Sequence, residues 1–108
     1  MAKDITISVY DEARTLTSTA TEIEAEPGDR IVLVSSSQAS FTTFFSVERD
    51  PDTSALPAQE GPFAPGDAIP AIEIPHEGER FVVDYFHVMS DAGWPKIMIR
   101  RPSTVGTH

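Results

Sequence analysis

Residues 4–10 alternate without a break: Ile5, Ile7 and Val9 fall on one side, Thr6, Ser8 and Tyr10 on the other. A period of two belongs to a strand with one buried and one wet face. The pattern recurs along the chain. Phe81, Val83, Tyr85 and His87 alternate with Val82, Asp84, Phe86 and Val88. Residues 22–26 and 71–74 behave alike, and residues 96–100 turn Ile97 and Ile99 inward. Ile31-Val32-Leu33-Val34 is an unbroken β-favouring run, typical of a strand covered on both faces. Residues 41–47 read as a further strand, with Phe41, Phe44 and Phe45 as core aromatics.

Turn signals separate these runs: Pro27-Gly28-Asp29, His76-Glu77-Gly78-Glu79 and Asp91-Ala92-Gly93. Short strands at this spacing predict an all-β fold, a two-sheet antiparallel or mixed β-sandwich forming one domain over residues 1–108. Two stretches do not read as strands. Residues 11–20 hold Thr15, Thr17, Ser18 and Thr19, poor helix formers, and predict a turn or irregular connection. Residues 48–70 hold Pro51, Pro57, Pro62, Pro65 and Pro70 and predict a long proline-rich loop. Connections of that length inside a compact domain tend to be functional. The expected contact surface therefore lies there, held down by Leu56, Phe63 and Ile69, with Trp94 in Gly93-Trp94-Pro95 as a second interaction anchor.

Seventeen acidic against 8 basic residues give a formal charge of −9. Such a chain repels phosphate backbones and anionic lipid, so neither nucleic acid nor membrane is an expected partner. A protein partner or self-association is. No apolar run approaches the roughly 20 residues that span a bilayer. The N-terminus runs straight into the first strand without a signal-like apolar stretch, so the expected location is cytoplasmic, unless a leader has already been removed. Absence of cysteine removes disulfides, thiolate metal sites and thiol nucleophiles. Glu22, Glu24 and Glu26 share a face, but no glycine-bearing, oxygen-rich loop accompanies them, and they read as a solvated strand face.

No serine stands in a Gly-x-Ser-x-Gly setting, and no glycine-rich phosphate loop is present. The chain is therefore not expected to be an enzyme or to hold a cofactor. Two other readings remain open. His87 and Met89, with His76, offer soft ligands for copper, although two or three are few for a metal site. Trp94, Tyr85 and the proline-rich loop offer the surface of a sugar- or small-ligand-binding sandwich.

The order of elements resembles the cupredoxins. Ile23-Glu24-Ala25-Glu26-Pro27-Gly28-Asp29-Arg30-Ile31-Val32-Leu33-Val34 is similar to that family's early strand, Gly-Asp turn and apolar strand. Glu77 to Phe86 resembles its tight turn and aromatic strand, and Gly93-Trp94-Pro95-Lys96-Ile97-Met98-Ile99 its closing ligand loop and last strand. The resemblance implies a Greek-key sandwich. It does not carry the copper chemistry: residues 39–45 hold no histidine, the cysteine position near Phe86 or His87 has no cysteine, and Trp94 stands near the axial methionine position.

Overall fold

A computed structural model describes residues 2–55, 59–75 and 83–101. Nine strands follow in order: β1 (Asp4–Glu12), β2 (Thr15–Ser18), β3 (Glu22–Glu24), β4 (Arg30–Ser35), β5 (Phe41–Ser46), β6 (Glu60–Phe63), β7 (Ile72–Glu73), β8 (Tyr85–Met89) and β9 (Lys96–Arg100). They form two sheets, β2-β1-β4-β7 and β3-β9-β8-β5-β6. The β1–β4 and β3–β9 pairs are parallel and the remainder antiparallel. The fold is the expected mixed, all-β sandwich.

The alternation of β1 turns Ile7 and Val9 inward, where they meet Ile31 and Leu33 of the parallel partner β4. The five-stranded sheet supplies Phe41, Phe86, Val88, Ile97 and Ile99 to the same core. Burying each such side chain contributes about 1.5–3 kcal/mol against leaving it exposed. The expectation that 31–34 is covered on both faces fails at its end. Val34 is 50% exposed, because the outer face of the four-stranded sheet meets solvent.

Residues 11–20 are not an irregular connection. β1 and β2 form a hairpin, Val9 opposite Ser18 and Glu12 opposite Thr15, closed by Ala13 (φ 51°) and Arg14 (φ 68°). The threonines that make a poor helix suit a strand, since a branched Cβ packs well on a pleated surface. Residues 48–70 are likewise more ordered than a loop: they contain a 3-10 turn, Thr53–Ala55, and the edge strand β6. β6 pairs with β5 across a bulge, with Phe63 opposite Phe41 and their ring centroids 5.8 Å apart. Gly61 makes this approach possible, for a Cβ there would lie 3.0 Å from the Phe41 carbonyl oxygen.

The Pro27-Gly28-Asp29 turn is pinned on two sides. The Asp29 carboxylate, only 4% exposed, accepts the Glu26 N–H at 3.0 Å and the Lys3 N–H at 3.1 Å. Those bonds, that from Glu26 foremost, hold its carboxyl below the usual range. Gly28 N–H donates to Ile74 and Ile74 N–H to Asp29, each at 2.8 Å, which ties the turn to the end of β7.

Candidate functional site

The central strand β8 is buried on both faces. Phe86 and Val88 point between the sheets, so Tyr85, His87 and Met89 point to the outer face of the five-stranded sheet. On that face Phe44, His87 and Lys96 stand side by side across β5, β8 and β9. His87 is nonetheless fully buried, because Trp94 folds back over it. The Phe44 and His87 rings stack at 4.5 Å and 11°, and Trp94 meets both edge-on at 6.0 and 5.7 Å. Phe44, expected in the main core, is buried in this second, outer cluster instead.

The turn that delivers Trp94 is held from below. Ser90 N–H donates to the Gly93 carbonyl at 2.9 Å, and the Ser90 hydroxyl accepts the Ala92 N–H at 3.1 Å. The Leu16 N–H of β2 bonds the Ala92 carbonyl at 3.1 Å. β2 passes so close that a Cβ on Gly93 would sit 2.8 Å from the Leu16 carbonyl oxygen. Only glycine fits there.

The hydrogen bonds fix the state of the imidazole. Trp94 Nε1–H has no acceptor role, so at 2.9 Å it must donate to His87 Nδ1. The ring proton then sits on Nε2, which donates to Ser46 Oγ at 2.7 Å. Ser46 in turn donates to the Glu48 carbonyl. Burial, opposed by the Glu48 carbonyl and more weakly by Asp50 and reinforced by the Lys96 charge, lowers the His87 pKa to about 4. Lys96 Nζ lies 5.0 Å over the Trp94 ring and pairs with Asp50, whose carboxyl this bond lowers. In this arrangement the serine–histidine pair runs opposite to a nucleophile and its base. His87 presents a proton to Ser46 rather than a lone pair.

The copper reading meets the same geometry. Both His87 nitrogens are engaged, so a metal could bind there only by displacing Trp94 from Nδ1 or Ser46 from Nε2. Met89 is half-buried two residues along the same face. His76 lies outside the described residues, as does Leu56. Among the described residues no group of three or more His, Cys, Asp or Glu is placed to hold a metal. Trp94 is half-buried over His87, and Phe63 and Ile69 pack against the core, so these anchors secure their own segments. Trp94 and Tyr85 do not share a cleft. Tyr85 lines a depression with Val47 and Met98, Trp94 another beside β2.

Sequence reasoning missed one feature altogether. β6 and β7 are edge strands of opposite sheets on the same side of the sandwich. Between them opens a cleft of about 360 Å³, lined by Thr43, Phe45, Glu60, Ile72 and Glu73, with Pro70 and Pro75 at its margin. The signal was present as two prolines bracketing a short alternating segment, but it needed the strand order to acquire meaning. No helix among the described residues is long and apolar enough to cross a membrane. Comparison with protein-family models, with curated proteins and with solved structures gives no match.

Proposed function

We propose that this chain is a non-catalytic interaction or structural domain, cupredoxin-like in architecture and without a copper site. The architecture is supported by chain order. Successive strands pass repeatedly between the sheets, as a Greek key requires, and the Gly28-Asp29 and Trp94-Pro95 turns stand before β4 and β9, where the resemblance puts them. The engaged nitrogens of His87 and the lack of cysteine speak against copper.

The observation that carries the interaction reading is the construction of residues 60–69. Phe63 and Ile69 face the core, while Ala64, Pro65, Gly66, Asp67 and Ala68 between them are exposed. That exposed turn closes on itself. Asp67 N–H donates to the Ala64 carbonyl at 3.0 Å, and the Asp67 carboxylate accepts the Ala64 N–H at 2.8 Å. A contact surface ordered before binding loses less entropy on binding. Replacing residues 64–68 by Gly-Ser repeats, with Phe63 and Ile69 kept, should leave the melting temperature essentially unchanged. It should abolish self-association in sedimentation velocity, or capture of the protein partner found with the tagged wild type. Retained association in the variant, or a wild type that engages neither itself nor another protein, refutes the proposal.

A further inference from the structure

The cleft between β6 and β7 has the chemistry of a receptor for a cationic side chain. Its walls are apolar, with Phe45 and Ile72 below and Pro70 at the margin. Its two carboxylates, Glu60 and Glu73, are exposed, and neither makes an ion pair among the described residues, although Asp4, Glu22 and Asp50 all do. At its floor lies Thr43, fully buried, paired with core residue Val88 and therefore directed between the sheets. Its Oγ1 has no hydrogen-bond partner among the described residues. A buried hydroxyl without a partner costs about 1–3 kcal/mol, so a polar group reaching the cleft floor has something to gain.

The strands beside the cleft limit how a partner can enter. β7 is two residues long and β6 contains Pro62, which donates no hydrogen bond. Pro70 and Pro75 close off the extension of β7 in both directions. Strand addition is therefore disfavoured, and side-chain insertion remains.

We propose that this cleft docks a lysine or arginine side chain of an extended segment of a protein partner, the alkyl stem lying against Phe45, Ile72 and Pro70 and the cation between Glu60 and Glu73. A long basic side chain combines these two requirements, an apolar stem and a charged head. The chain's net charge of −9 favours the encounter. The inference rests on the interaction reading above and assigns it a site.

The test uses amide chemical shifts of the full chain, titrated with acetyl-Val-Arg-Val-amide, its norleucine counterpart and n-butylammonium. The arginine peptide should shift Thr43, Phe45, Glu60 and Glu73 saturably, and the other two probes much less. Glu60→Gln with Glu73→Gln should weaken the peptide about tenfold, as two exposed ion pairs imply. Ala71→Phe, which fills the cleft, should abolish binding. Equal shifts from the norleucine peptide, shifts spread over the acidic surface, or an undiminished affinity in the double variant overturn the proposal. So does n-butylammonium binding as tightly as the peptide, which would make the cleft a site for free amines. If association depends on residues 64–68 but the arginine peptide leaves the cleft unshifted, this inference fails and the interaction reading stands. Peptide binding in the cleft with association unaffected by 64–68 keeps this inference and refutes the placement of the contact surface at 64–68.

Discussion

The two faces of β8 solve the same problem with different chemistry. Inward, Phe86 and Val88 are buried among hydrocarbon and need only shape. Outward, His87 is equally buried and needs three partners: a stacked Phe44, a donor in Trp94 and an acceptor in Ser46. Hydrophobic burial is indifferent to protonation, whereas a polar network in a low-dielectric site holds in one protonation state only. The inner face thus supplies stability at every pH, and the outer face supplies it conditionally.

Removing the inner ring should have the largest effect. Phe86→Ala is expected to lower unfolding free energy by about 3–5 kcal/mol in urea titrations, by a similar amount at pH 7 and pH 5. A loss that changed strongly between those conditions would break the contrast. Trp94→Phe keeps an aromatic cover but removes the donor to Nδ1. We expect a cost of about 1–3 kcal/mol at pH 7, because a buried acceptor is left without a partner.

The pH dependence follows from the lowered His87 pKa. Between the ordinary histidine value of 6.5 and the folded value of about 4, the unfolded chain takes up a proton that the folded protein refuses. Stability is complete above 6.5, falls as pH drops through that window by up to about 1.4 kcal/mol per unit, and levels off with respect to this group below 4. Asp11, Asp29 and Asp50, whose carboxyls are lowered by hydrogen bonds, keep their contributions above the ordinary 3.8 and lose them below it. Denaturant midpoints at pH 7 and pH 5 therefore isolate the histidine, and in Trp94→Phe the difference between them should shrink. Thr43→Val on the inner face should raise stability by about 1 kcal/mol, since it replaces a partnerless hydroxyl with a methyl.

The inner face was legible in the sequence because hydrophobic alternation reports burial directly. Ile7, Val9, Ile97 and Ile99 all fell on the side the pattern gave them, whereas the alternation of residues 81–88 did not say which face is inward. The outer cluster was not, for Phe44 is distant in sequence from His87 and meets it only through the register of β5 against β8, and Trp94 covers both only because the turn after β8 folds it back. The β1–β2 hairpin stayed hidden for a different reason. Its two left-handed turn positions carry Ala13 and Arg14 instead of the Asn-Gly that advertises such a turn. Replacing them by Asn and Gly should relieve that strain and stabilise the protein by about 1 kcal/mol, a gain as small as that of Thr43→Val and readable as a rise in melting temperature. The prolines of 48–70 hid β6 because an edge strand tolerates them where a central strand does not.

Trp94 is the sole tryptophan of the chain, and its indole nitrogen is bonded to an imidazole that is neutral at pH 7 and fully screened from solvent. All of the protein's indole fluorescence thus originates at one bond. An imidazolium quenches indole emission and a neutral imidazole does so less. The emission intensity should therefore hold steady under excitation at the red edge of the tryptophan band until His87 is protonated, then fall. The wavelength of the emission maximum, by contrast, should stay blue-shifted until the ring is uncovered. One optical signal thus separates titration of the histidine from unfolding of the sheet face around it.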